Sequence, residues 1–125
     1  MNFNDDSPIF VQVANLIENQ ILDGYLKADE QTPSTNEFSD VYGINPATAR
    51  KGLNLLVEEG VLYKKRGMGM YVEENAMEII MEKRREDFFE KSLPNLVKEL
   101  KRLNISTERL IKEIKKKEDI NAKSE

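Results

Sequence analysis

Five of the six Lys and Arg residues among the first 73 positions crowd into 17 residues: Arg50, Lys51, Lys64, Lys65 and Arg66. Cations at this density grip phosphate oxygens, and an arginine can also donate two parallel hydrogen bonds to a guanine edge. Asn45 and Thr48 offer an amide and a hydroxyl just ahead of them, and Gly67-Met68-Gly69 lets the backbone turn tightly. His and Cys are absent. Their absence removes imidazole acid–base work, zinc sites built from imidazole or thiolate, disulfides and thiol nucleophiles. The acidic pairs Asp5-Asp6, Glu58-Glu59 and Glu73-Glu74 have no cleft-forming pattern around them and read as solvated surface. Gly67-x-Gly69 lacks the third glycine and the strand-to-helix setting of a phosphate loop, so hairpin geometry is the expectation. The chemistry implied is recognition of a polyanion. No enzyme activity, metal or cofactor is expected.

Bulk charge runs against that reading. The 125-residue chain carries 19 Lys and Arg against 23 Asp and Glu, a formal −4. Residues 1–73 hold 6 against 11, or −5, and residues 74–125 hold 13 against 12, or +1. Salt screens exposed charges beyond a Debye length of about 8 Å, so the local patch outweighs the total. A modest basic face on an acidic body binds nucleic acid weakly as one copy, which places weight on a second copy.

The elements that must position these groups follow from caps and periodicity. Ser7 as a hydroxyl cap and Pro8 at the first helical position start a first helix through Ile9, Val13, Leu16, Ile17 and Ile21, with Gly24 as its stop. Residues 25–33 read as a loop or a short edge strand around Leu26. Ser34-Thr35-Asn36-Glu37 is a capping box for a short second helix ended by Gly43. Asn45 caps a third helix with Pro46 at its first position, and that helix ends at Gly60. Ala49, Gly52, Leu53 and Leu56 share one face of it, while Ala47, Arg50, Lys51, Asn54 and Glu58 share the other. Exposed helix polarity accounts for Asn54. Val61–Lys64 and Met70–Val72 are β-prone runs around the glycine turn, a small basic hairpin. Two helices joined through a glycine turn and followed by such a hairpin have the layout of a winged helix-turn-helix.

Beyond Glu73 the texture becomes long, charged and helical. Phe89, Leu93, Leu96, Leu100 and Leu103 step by 4, 3, 4 and 3, the seam of a helix that packs on another helix. Met77, Ile80, Met81 and Phe88 extend the apolar stripe upstream. Pro94 is expected to kink or divide the helix near Ser92. After a turn at Asn104-Ile105-Ser106, a last helix is expected from Thr107 to Lys117, with a frayed tail from Glu118. The run Lys115-Lys116-Lys117 then reads as a solvated helix end. The fold expected is mainly α with a small β-wing, divided into a winged helix-turn-helix at 1–73 and a helical dimerisation region at 74–125. No apolar run approaches the ~20 residues of a membrane span, and Met1–Asp6 lacks the order of a signal peptide. A cytoplasmic protein is expected.

With these residues placed, the chain resembles a GntR-type transcription regulator. The likeness runs from Pro8-Ile9-Phe10 through Leu26-Lys27, Pro33-Ser34, Glu37 and Tyr42-Gly43 to Leu56-Val57-Glu58-Glu59-Gly60, and closes with Gly67-Met68-Gly69-Met70-Tyr71-Val72. The short helical remainder is similar to the small YtrA-type subfamily, in which two helices serve mainly for dimerisation. The resemblance implies a homodimeric repressor on double-stranded operator DNA, with contacts from Thr48, Arg50 and Gly67; Lys51, Lys64, Lys65 and Arg66, with Ser34 and Asn45, are the further DNA contacts expected beside them. The apolar stripe supplies the expected dimer seam, Met77, Ile80, Met81, Phe88, Phe89, Leu93, Leu96, Leu100 and Leu103, its part from 77 to 89 reading as core or dimer interface. Asn36 stands where the family's Pro-Ser-x-Arg motif has its arginine, and Met68 and Met70 replace the usual wing arginine and threonine. Those departures and the acidic N-terminal half support one alternative, a winged helix that has lost specific DNA binding and serves as a protein-interaction module. No residue pattern identifies a small-molecule effector.

Overall fold

A computed structural model describes residues 7–124, with side chains described to residue 121. The expectations for Met1–Asp6, including the Asp5-Asp6 pair, lie outside that range. In chain order the elements are α1 (Ile9–Leu22), α2 (Thr35–Tyr42), α3 (Pro46–Glu58), β1 (Leu62–Lys65), β2 (Gly69–Val72) and α4 (Ala76–Asp87). A π-helical turn (Phe88–Ser92), α5 (Leu93–Arg102) and α6 (Thr107–Ser124) follow.

Local signals set the starts of α2 and α3 as expected. The Ser34 side chain accepts from the Glu37 amide at 3.0 Å, and Glu37 reaches back to the Ser34 amide at 3.4 Å. Gly43 ends α2 at φ +66°, a left-handed conformation that costs a residue with a Cβ about 1–2 kcal/mol. Asn45 caps α3 by accepting from the Ala47 amide at 2.8 Å, with Pro46 beside it where its missing N–H is no loss. The start of α1 differs from expectation. Pro8 itself is the cap residue, its carbonyl accepting from the amides of Val11 and Gln12, while Ser7 contributes a carbonyl to the Gln12 side chain at 2.8 Å.

Contacts between Cα atoms divide the chain between Lys83 and Arg84, inside α4 and ten residues later than the expected boundary at Glu73. The reason is burial. Ala76 and Ile80 of α4 join Val13, Ile17, Phe38, Leu53, Leu56, Leu62 and Val72 in one core. Ile80 is 0% exposed there, so its expected place on a dimer seam is corrected: it is a core residue of the first unit. Inside this core α1 packs against α3, α2 against α3, and α3 against β1. Gly52 permits the α1–α3 contact, because a Cβ there would lie 2.6 Å from the Phe10 carbonyl oxygen.

An ionic link fastens α4 to the same unit. The Lys83 ammonium donates to Glu18, whose side chain is almost wholly buried, and to Glu59 at 2.6 Å. Burial pulls Lys83 down, but the hydrogen bonds and charges of the two glutamates outweigh it and hold the ammonium above the ordinary lysine value.

In the second unit, Pro94 does not divide the helix. The backbone widens to a π turn before it, with the Leu93 amide bonding back five residues to Phe88, and helical angles persist at Asp87, Ser92 and Leu93. A wider turn accommodates the ring and the missing donor that a regular α-turn could not. Asn104, at φ +58°, ends α5: the Asn104 amide bonds to the Lys101 carbonyl and the Ile105 amide to Leu100. That is the two-bond left-handed stop usually built on glycine. The last helix continues to Ser124, beyond the expected Lys117, so Lys115–Lys117 lie inside α6 and not at its negative pole.

Candidate nucleic-acid interface

The third helix meets both demands of a recognition element. Ala49, Gly52, Leu53 and Leu56 are buried, while Ala47, Arg50, Lys51 and Glu58 are exposed and Thr48 and Asn54 are half-buried. The division is the one read from the 100° periodicity. A groove of about 340 Å³ runs along this face, lined by Phe10, Ala47, Arg50, Lys51, Asn54, Leu55 and Glu58. Lys51 leans back so that its ammonium sits 4.1 Å from the centre of the Phe10 ring. A cation–π contact at an exposed site is worth about 0.5–1 kcal/mol, weak enough to be exchanged for a phosphate. Asn54 is not simply an exposed polar residue. Its Oδ1 is shielded from solvent and, among the described residues, accepts no hydrogen bond.

The hairpin pairs Leu62 with Val72, Tyr63 with Tyr71, Lys64 with Met70 and Lys65 with Gly69. Alternation sends Leu62 and Val72 into the core and puts Tyr63, Tyr71 and Lys65 on the opposite face. The two tyrosine rings stack with centroids 5.9 Å apart, and the Lys65 ammonium lies 4.4 Å from the Tyr71 ring centre. Arg66, Gly67 and Met68 form the exposed turn, closed by the Met68 amide donating to the Lys65 carbonyl at 2.9 Å. Gly67 (φ +77°) and Gly69 (φ +100°) supply the left-handed backbone that this turn needs.

The expected edge strand around Leu26 is displaced. Leu26 is a core residue, and the strand-like segment lies at 29–32, where Gln31 bridges Tyr71 in antiparallel fashion. Backbone bonds from Asp29 to Val72, from Val72 to Glu30 and from Thr32 to Met70 cover the free edge of β2. Asp29 (φ +65°) also accepts a hydrogen bond from the Tyr63 hydroxyl at 2.8 Å, which raises the Tyr63 pKa, and Gln31 donates to the Met68 carbonyl at 2.7 Å. Sequence reasoning missed Asp29, Gln31 and Tyr63, since their partners lie 34 or 37 residues away.

The structure thus gathers Arg50 and Lys51 in one groove and Lys64, Lys65, Arg66 and Gly67 on one hairpin, all in the first unit. Ser34 and Asn45 are engaged as helix caps. In the second unit, considered alone, no described side chain from 84 to 121 is buried. Phe88, Phe89, Leu93, Leu96 and Leu103 are exposed, and Leu100 is half-buried. In the first unit, Met77 and Met81 are exposed on α4. Among the described residues no helix is long and apolar enough to cross a membrane.

Comparison with known proteins agrees with this architecture. Residues 10–72 match the profile of bacterial regulatory proteins, gntR family. The HTH-type transcriptional repressor NagR of Bacillus subtilis is 39% identical over 80 residues, 62% of this chain and 33% of NagR. The repressor YtrA of the same organism is 32% identical over 76 residues, 61% of this chain and 58% of YtrA. The matched segment therefore spans from a third to under two thirds of these relatives. A GntR-family transcriptional regulator from Bacteroides thetaiotaomicron superposes with a TM-score of 0.77 at 26% identity, covering 91% of this chain and 99% of that one. AraR(DBD), solved in complex with operator ORX1, gives 0.53 at 30% identity over 57% of this chain and 92% of that one. With a winged helix-turn-helix of this order and a family match over half of the chain, the chain belongs to the GntR family of bacterial regulatory proteins.

Proposed function

We propose that this chain is a homodimeric, sequence-specific DNA-binding transcriptional repressor acting on an inverted-repeat operator in the cytoplasm. The observation that carries the reading is α3: a capped helix with its apolar face buried and its Arg50–Lys51 face open to solvent. Such a helix enters a major groove, where Arg50 is placed to reach a base edge and Thr48 and Lys51 the backbone. Lys64, Lys65 and Arg66 on the hairpin add phosphate contacts, and Gly67 lets the turn approach the duplex closely. Ser34 and Asn45, occupied as caps, present helix starts whose amides suit a phosphate.

Dimerisation rests on the second unit, whose apolar side chains are left in water. Two helices with such a stripe and no buried residue of their own are stabilised by a second copy. Two-fold pairing then spaces the α3 helices for successive major grooves, about 34 Å apart. The repressor sign is carried over from the names of NagR and YtrA, and the operator from the AraR complex. The test is binding to a duplex enriched from random DNA, measured against salt for wild type and Arg50→Ala. Six to ten phosphate contacts give a loss of about 10³–10⁵ in affinity between 50 and 200 mM salt. Salt-insensitive, sequence-blind binding would instead favour the protein-interaction module.

A further inference from the structure

We propose that Gln31 and the Asp29–Tyr63 pair are positioning residues that hold the hairpin turn in its DNA-binding geometry before DNA arrives. The proposal rests on the reading above, that the hairpin contacts the duplex.

A two-stranded hairpin with strands of four residues does not hold its shape alone in water. This one is braced from outside at three levels. At its base the Asp29 amide donates to the Val72 carbonyl and Val72 to Glu30. Halfway up, the Thr32 amide donates to Met70 at 2.9 Å, and the Tyr63 hydroxyl donates to Asp29 Oδ1 at 2.8 Å. At the tip the Gln31 amide nitrogen donates to the Met68 carbonyl, one residue from Gly67. Lys65 is steadied in turn, because its ammonium rests on Tyr71, which stacks on the Tyr63 ring that Asp29 anchors.

Two details mark these side chains as fitted. Asp29 holds a positive φ, a conformation that glycine would adopt without strain, so the position carries a carboxylate at a backbone cost. A Cβ at Gly69 would lie only 2.8 Å from Gln31 Nε2. The Gln31 amide thus packs against bare backbone, and Gly69 leaves it the room.

None of these three residues carries a cation to the duplex. Their effect is to remove the ordering of Arg66-Gly67-Met68 from the binding event. The experiment uses the full chain as Gln31→Met, Tyr63→Phe, Asp29→Ala, Asp29→Asn and Arg66→Ala. Affinity for the enriched duplex, its salt slope, thermal midpoint and amide hydrogen exchange at Gly67–Gly69 are measured for each. Gln31→Met keeps the shape and loses the donor. It is expected to weaken binding about tenfold, roughly the ordering of one backbone residue, with faster exchange at the turn, an unchanged salt slope and an unchanged midpoint. Tyr63→Phe should behave as Gln31→Met does; Asp29→Ala should lose the same affinity with a lower midpoint as well, because alanine is strained at φ +65°, whereas Asp29→Asn keeps an acceptor and should bind as wild type. If Arg66→Ala weakens binding while Gln31→Met and Tyr63→Phe do not, the positioning role is overturned and the hairpin contact stands. If Arg66→Ala also binds as wild type, the hairpin contact is itself refuted and the positioning role falls with it.

Discussion

Gly52→Ala tests how α3 is seated against α1. In an ordinary helix interior the substitution stabilises by about 0.8–1.0 kcal/mol, since alanine loses less backbone entropy. Here the new methyl would sit 2.6 Å from the Phe10 carbonyl oxygen and 2.8 Å from both Cβ and Cγ1 of Val13. An ordinary contact is about 3.5 Å, so α1 and α3 would have to part by most of an ångström. Neither neighbour yields easily: one is helix backbone, and Val13 is a wholly buried β-branched side chain. Overpacking of this kind costs about 1–3 kcal/mol, and the backbone contact puts this case at or above the upper end. Against the propensity gain, the net is a destabilisation of about 2 kcal/mol. For a unit of this size that lowers the thermal midpoint by about 8–16 °C. Urea and thermal unfolding of the variant read it directly. Adding Val13→Ala should restore part of the loss, with a coupling of at least about 0.5 kcal/mol. A midpoint at or above wild type would refute the close approach, and strict additivity of the two changes would refute Val13 as its partner.

The Lys83 link gives a second outcome: Lys83→Met should lower stability by about 2 kcal/mol, below the 3–5 typical of a fully buried pair because Lys83 is a third exposed. Lys83→Met combined with Glu18→Gln should recover part of that in urea unfolding. The folded state holds Lys83 above the ordinary value of 10.5, so its contribution is complete below that pH and fades as pH rises through the folded value. Wild type and Lys83→Met should therefore converge in alkaline melts, and curves that stay parallel would remove the ion pair from the stability. Arg50→Ala should cost about 1–3 kcal/mol of specific DNA binding if Arg50 reads a base; an unchanged Kd strikes it from the interface. Asn54→Ala removes a shielded acceptor without a partner and improves helix propensity, so the midpoint should rise by an amount equivalent to about 1 kcal/mol. A drop would place an unrecognised contact at that side chain.

What the sequence made legible was local. The capping box at Ser34, the Asn45-Pro46 start and the two faces of α3 depend on residues a few positions apart, and each forms as read. Elements held by distant partners were not legible. Ile80 fits an apolar stripe with Met77 and Met81 equally well whether it faces a second copy or the core of its own unit. The tertiary contacts of α4 decide it. Glu18 and Lys83 lie 65 residues apart with no pattern to join them. Leu26 carried the apolar signal of residues 25–33, yet the backbone bonds to β2 come from the polar stretch 29–32, where hydrophobic periodicity says nothing. Pro94 announced a disruption, but whether a helix breaks, kinks or widens to a π turn depends on the carbonyls before the proline. On the candidate interface, the cations were visible from their crowding between positions 50 and 66, while the braces behind the hairpin were not.

The most direct measurement is selection of duplexes by the purified chain from a fully random DNA library, with sequencing of the bound pool. The expected pool converges on a two-fold symmetric site, its half-sites about one helical turn apart, and Arg50→Ala loses discrimination within each half-site. A pool with no enriched sequence, or with a lone asymmetric site bound by one chain, would contradict a dimer that reads DNA through α3.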